Sequence, residues 1–253
     1  MVTKIINNFL LMMQFLTRIN INKNLECRKE NFRWGSIFMP LIGLIIGGLQ
    51  WGLYKLLIYF LPVNVSVIFS ILLGIILTGA MHIDGLGDMC DGFFAFKGND
   101  RIIEIMKDSR VGTYSCIAIV MDILLKYSLL CYIVPKFSLA IVVSQVISRF
   151  STLFIIASGN TAKSTGTGNL FIDSVEISQF LVGAVITFVV LFFVTSIDPI
   201  DSVILMLIAI VISFGFNMYC KSKIGGLTGD LLGANNEIME IAMLAFMYIF
   251  LIK

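Results

Sequence analysis

The sequence predicts an all-α integral membrane protein, with about six to seven transmembrane helices and an N-terminal interfacial amphipathic helix. Three observations predict it. Of the 253 residues, 58% are hydrophobic and 13% charged, with a mean hydropathy of +0.97, whereas soluble domains carry roughly a quarter charged residues. Apolar runs near the ~20 residues that a bilayer core requires recur along the chain. Between them, short and long connections alternate strictly, and basic residues collect in the long ones.

The first element is expected at 4–17, where Ile5, Phe9, Met12, Met13 and Leu16 share one helical face. That stripe fits a helix lying on a membrane surface. No small-x-small cleavage pattern follows it, so the segment is expected to be retained. Spans are expected at 37–61, 65–81, 113–134, 139–157, 177–197 and 203–219, with a shorter one at 238–252. The connections at 62–64, 135–137 and 198–201 are tiny. Those at about 18–36, 82–112, 158–176 and 220–237 are long, polar and glycine-bearing.

Arg18, Lys23, Arg28, Lys29, Arg33, Lys97, Arg101, Lys107, Arg110, Lys163, Lys221 and Lys223 lie in the long set, and only Lys136 in the short one. The positive-inside rule therefore places the long segments in the cytoplasm. Neither a repeat nor a domain boundary is visible, so 1–253 reads as a single polytopic domain. No basic run suggests nucleic acid, and a net charge of +2 is too small to argue for any partner. The five cysteines show neither CxxC nor zinc spacing and read as small apolar fillers; Cys90, between Asp88 and Asp91, is the one in unusual company.

The chemistry is expected in HIDGLGDMCDG, residues 82–92. Asp84, Asp88 and Asp91 follow i, i+4, i+7 spacing, which lines them along one face of a helix. Three carboxylates exceed what a helix cap needs, and they repel one another unless a cation sits among them. An oxygen-only donor set favours Mg²⁺ over zinc, and two such ions about 4 Å apart would suit a phosphoanhydride substrate. Gly85 and Gly92 weaken the helix but let a large ligand approach its backbone. His82 is either a structural residue or a proton acceptor, and the general base stays open among His82, Asp84 and Asp91.

About twenty positions on, Lys107 and Arg110 supply positive charge suited to phosphate. In KSKIGGLTGDLLGANNE, residues 221–237, Gly225, Gly226, Gly229 and Gly233 can offer backbone N–H groups to an anion. Asp230 and Glu237 there can hold metal or hydrogen-bond a nucleoside. Inside the spans, Asp122 and Lys126 are spaced to pair with each other. Lys55 is placed to snorkel. Arg149 has no local partner and is expected to meet a buried acid or a substrate phosphate.

At these residues the chain resembles the cobalamin synthase, or adenosylcobinamide-GDP ribazoletransferase, family. His82, Asp84, Gly85, Leu86, Asp88, Asp91 and Gly92 match its His-x-Asp-Gly-Leu-x-Asp-x-x-Asp-Gly motif. Lys107, Asp108, Ser109, Arg110 and Gly112 match a second segment, and Gly226, Thr228, Gly229, Asp230, Gly233, Ala234 and Glu237 a third. The likeness spans almost the whole chain. It departs at IIASGNTAKSTGTG, where the family's Tyr-Ala-Arg segment is missing and its role falls to Lys163 or Arg149.

The resemblance implies an enzyme of the bacterial cytoplasmic (inner) membrane with its site facing the cytoplasm. In the implied reaction the 5′-hydroxyl of α-ribazole, or its 5′-phosphate form, attacks the phosphate borne by adenosylcobinamide and expels GMP, with Mg²⁺ required. It implies Asp84, Asp88 and Asp91 as metal ligands, and His82, Asp91, Lys107 and Arg110 as catalytic residues. Gly85, Gly92, Ser109, Arg149, Gly226, Thr228, Gly229, Asp230 and Glu237 are implied to contact substrate. Partners are then the small-molecule substrates, the lipid bilayer and a second copy or other cobalamin-assembly enzymes. A shorter similarity, Asp88-x-x-Asp91-Gly92, is to the CDP-alcohol phosphotransferases, whose downstream motif is absent. A transporter is the third reading, disfavoured because the acids cluster at one face and no related halves appear.

Overall fold

The computed structural model describes residues 2–95, 98–162, 169–172 and 174–252. Helices α1 (Val2–Leu16) and α2 (Lys29–Gly35) lead through a 3₁₀ turn (Ser36–Phe38) into α3 (Met39–Leu57). Then come α4 (Val63–Thr78), α5 (Met81–Phe93), α6 (Asn99–Met106), α7 (Thr113–Ile133) and α8 (Ala140–Ser158). Helices α9 (Asn169–Ile172), α10 (Ile177–Thr195), α11 (Pro199–Ile224) and α12 (Gly229–Met247) follow, the last running into a π-helical turn, Tyr248–Ile252. The one β feature among the described residues is an isolated parallel bridge, Thr161 to Leu227.

Five stretches among the described residues are long and apolar enough to cross a membrane: Lys29–Leu57, Thr113–Ile133, Ala140–Ser158, Ile177–Thr195 and Pro199–Ile224. The number is six if α4 and α5, which meet at 86°, count as one broken span. The protein is a multi-pass, all-α membrane protein. Two expectations change. The final helix begins at Gly229 rather than 238, and it carries Asp230, Glu237 and Glu240 into contact with α5, α7, α8 and α11 instead of forming a seventh apolar span. Most of the expected polar loop at 220–237 is therefore helix, since α11 runs to Ile224 and a four-residue turn suffices.

Helix α8 is the centre, with almost every side chain from Ala140 to Leu153 buried. Small residues let its neighbours approach closely, as they do where lipid supplies no hydrophobic drive between helices. A Cβ on Gly47 of α3 would lie 2.8 Å from the Val142 Cα. Gln50 and Ser70 then tie α3 to α4 through reciprocal bonds of 3.1 Å, each side chain bonding the other's carbonyl. The corner between α4 and α5 is made by two consecutive left-handed residues, Gly79 (φ +64°) and Ala80 (φ +60°). Helix α4 continues the direction of a span, and α5 turns out of it.

On α1 the buried stripe is Asn8, Leu11, Met12, Met13 and Leu16. Ile5, expected on that stripe, is exposed alongside Val2 and Ile6. The helix thus has one apolar edge against the bundle and another facing out.

Candidate functional site

Helix α5 presents the acids as their spacing requires, with Asp84 exposed and Asp88 and Asp91 half-buried. Its glycines, however, face protein. A Cβ on Gly85 would stand 2.5 Å from the Asp230 carbonyl oxygen, and one on Gly233 of α12 would stand 3.0 Å from the His82 Cα. Gly92 is closed over by Met106 and Ile102 of α6. These residues let α5 cross α12 and α6 in near backbone contact, which replaces the expected approach of a ligand. Gly226 lies against Asn160 and Ala162 for the same reason, and the neighbouring amide of Leu227 donates to Asn160 O at 2.8 Å. Thr228 caps α12, its Oγ1 accepting from the Leu231 amide at 3.4 Å.

The crossing sets Asp230, in the first turn of α12, beside the acids of α5. Burial, then the charges of Asp84, Asp230 and Asp91, push Asp88 up to about 7. Burial and Asp84 also raise Asp230, with Lys107 the opposing cation. Lys107 is exposed and faces this acidic patch. Arg110 does not: its Nε and Nη2 are taken by Asp108, at 3.0 and 2.6 Å, in the planar fork a phosphate would otherwise use. That pairing draws Asp108 down to about 2. Ser109 is exposed on the same turn.

Asp91 is also tied to the start of α7. Its Oδ2 accepts from the Gly112 amide at 2.7 Å and its Oδ1 from the Ser115 amide at 3.0 Å. The carboxylate thereby satisfies donors at the N-terminus of α7, a favourable site for negative charge. Asp84 is exposed, and Asp88 and Asp230 are half-buried beside it at the crossing. Among the described residues, no three Asp, Glu, His or Cys side chains form a ready-made metal cage. Mg²⁺ does not need one, because it usually takes one or two carboxylates and completes its shell with water and substrate phosphate. Crowded carboxylates that raise one another's pKa, with oxygen the only donor, fit such an open half-site. Cys90 takes no part, since burial pushes its thiol up to about 11.

Behind the acids lies a second polar group that the sequence only hinted at. Lys126 pairs with Asp122 at 3.2 Å as its spacing suggested, but also with Glu237 and with Glu240 at 3.0 Å. Arg149 Nη1 binds Glu240 Oε1 at 2.7 Å and the Gln145 side chain at 2.5 Å, while Nη2 lies 3.5 Å from His82 Nδ1. All of these side chains are buried around a cavity of about 40 Å³, room for a water or two. The expected acid partner of Arg149 is thus Glu240, a residue not singled out as a site. Glu237, expected to contact substrate, is held by Lys126. His82 sits between this network and the acids, and burial beside Arg149 holds its ring neutral. Lys163 lies outside the described residues.

His82 and Arg149 also line a larger cavity, of about 210 Å³, where α1, α5, α8 and α12 meet. Asp230 and Gly229 stand at its α12 side. The predicted site residues therefore separate into an acidic outer patch, a buried ionic network and a cavity between them.

A family model described as cobalamin-5-phosphate synthase matches residues 8–248. A Clostridium kluyveri protein named adenosylcobinamide-GDP ribazoletransferase is 55% identical over 250 residues, covering 99% of each chain. One of the same name from Clostridium tetani is 48% identical over 246 residues, covering 96% of this chain and 97% of its own. A third, from Clostridium botulinum strain Okra, is 46% identical over 241 residues, covering 95% and 96%. No solved structure matches the chain.

Proposed function

The chain belongs to the cobalamin-5-phosphate synthase family, and on that premise we propose that it joins adenosylcobinamide-GDP to α-ribazole, or its 5′-phosphate, with release of GMP. The observation that carries this reading at the level of chemistry is the acidic patch, in which Asp84, Asp88 and Asp230 converge from α5 and α12 with Lys107 facing them. Such a patch repels a diphosphate unless a divalent cation comes with it. Asp84 and Asp88 are the residues that would hold Mg²⁺, which would supply charge neutralisation at the phosphoanhydride, leaving Asp230 free across the crossing.

A ribose hydroxyl attacks the phosphorus nearest adenosylcobinamide, the bond from that phosphorus to the bridging oxygen breaks, and GMP leaves with the bridging oxygen. The family description, a cobalamin 5-phosphate, supports a product that keeps a phosphate at the ribose 5 position. A ring hydroxyl is then the attacking group, in place of the 5′-hydroxyl expected above. The hydroxyl proton goes to Asp230, whose raised pKa makes it a better acceptor than an ordinary carboxylate. Lys107 stabilises the developing negative charge. His82, buried with its Nδ1 3.5 Å from Arg149 Nη2, forms part of the cavity wall beside Asp230. Phosphoryl transfer asks mainly for positioning and electrostatics, and these groups provide both. The positive-inside pattern supports a cytoplasmic site in a bacterial inner membrane.

The test is GMP release by detergent-solubilised protein supplied with both substrates and Mg²⁺, against controls with EDTA or with one substrate withheld. Release that needs both substrates and the metal supports the reading. Release without the metal removes the role given to the acids.

A further inference from the structure

The cavity of about 210 Å³ between α1, α8 and α12 is smaller than the ~300–1,000 Å³ of pockets that hold whole drug-sized ligands. It takes a fragment of a substrate and excludes a corrinoid. Its walls divide by polarity. On the α1 side lie Phe15 and Phe171, stacked on each other at 4.9 Å with an interplanar angle of 23°, which makes that end of the cavity aromatic. The opposite side carries Thr152 and Asn236, whose own donors are engaged: Thr152 Oγ1 donates to Ser148 O at 3.0 Å and the Asn236 amide to Glu240 at 2.9 Å. Their oxygen lone pairs remain as acceptors. Arg149 adds a buried Nε–H with no protein partner. Asp230 stands where the cavity meets the acidic patch.

A flat apolar ring against the aromatic wall, hydroxyl donors toward Thr152 and Asn236, and one ring acceptor for Arg149 Nε describe an azole nucleoside. Resting on the transferase reading above, the geometry points to this cavity as the seat of the nucleoside substrate, its base between the Phe15–Phe171 wall and Arg149 and its ribose toward Asp230. The adenosylcobinamide-GDP substrate then approaches from the acidic patch outside.

The experiment measures GMP release by the full chain with Mg²⁺, varying α-ribazole and adenosylcobinamide-GDP in turn, for the wild type, Phe171→Ala and Phe15→Ala. Phe171 is fully buried, so Phe15→Ala, at a partly exposed residue, keeps the test valid if the first variant fails to fold. The expected result is a KM for α-ribazole raised roughly tenfold or more, the loss anticipated when one stacking aromatic is removed, with the KM for adenosylcobinamide-GDP unchanged. An unchanged α-ribazole KM, or a rise confined to adenosylcobinamide-GDP, overturns the assignment while leaving the transferase reading intact. Absence of GMP release from folded wild-type protein overturns both.

Discussion

Arg149 on α8 and Glu240 on α12 meet at 2.7 Å with both side chains buried, although 91 residues separate them. Removing one member of such a pair leaves a bare charge in a dry interior and typically costs about 3–5 kcal/mol, whereas replacing both with apolar residues costs far less. Arg149→Met and Glu240→Met are each expected to lower the unfolding temperature of the solubilised protein sharply. The Arg149→Met/Glu240→Met double variant is expected to recover part of the loss, although Lys126 also loses a partner in it. Thermal unfolding of the three variants checks this; additive losses would show that the pair has no coupling.

Asp91 caps α7 through two backbone amides. Asp91→Ala is expected to destabilise by about 0.5–2 kcal/mol, the range for lost helix caps. Asp91→Asn keeps one acceptor and should fall between. The Mg²⁺ concentration for half-maximal activity should move little in the Asn variant. A large shift there would restore Asp91 to the metal site.

Asp88 is raised to about 7 by burial and by the acids around it. Its folded pKa exceeds its ordinary value of 3.8, so in metal-free protein the group leaves folding unaffected below about pH 4 and disfavours it increasingly as pH rises through the interval from about 4 to about 7. Mg²⁺ binding reverses that, since it needs the carboxylate. The apparent Mg²⁺ affinity is therefore expected to climb with pH, by up to about tenfold per unit, and to level off above about pH 7. Mg²⁺ activation curves at several pH values check it. Asp88→Asn should flatten the profile.

Gly85→Ala places a methyl group 2.5 Å from the carbonyl of Asp230, against backbone that cannot move aside locally. Overpacking of this kind costs about 1–3 kcal/mol, and it pushes Asp230 away from Asp84 and Asp88. Turnover should fall while membrane insertion persists. Gly48→Ala, where a Cβ meets nothing within 4 Å, is the matched control and should be silent.

The acid face of α5 was legible because i, i+4, i+7 spacing is a local property of a helix, and the structure keeps it. The Lys126–Glu237 and Arg149–Glu240 pairs were not, because spacing says nothing about partners 111 and 91 residues away. Asp122 beside Lys126, and an Arg149 without a local partner, were the visible hints of the network. The glycines were misassigned for a related reason: Gly85 and Gly233 need close approach, but the chain alone does not reveal whether the approaching atom belongs to a ligand or to another helix. Gly229 and Gly233 also disguised the first turns of α12 as a loop. The cavity had no sequence signature at all, since Phe15, Thr152, Phe171 and Asn236 come from four separate helices.

The ionic network has a consequence for biogenesis. During synthesis α7 and α8 emerge carrying Lys126 and Arg149 long before Glu237 and Glu240 have been translated, and Asp122 alone is at hand to answer two cations. Until the last helix docks, the half-built bundle holds an excess positive charge at its centre, which lipid cannot solvate. The final 25 residues thus act as a keystone. A chain stopped short of Gly229 is expected to be recognised as an orphan by membrane quality control rather than to persist as a partly active enzyme.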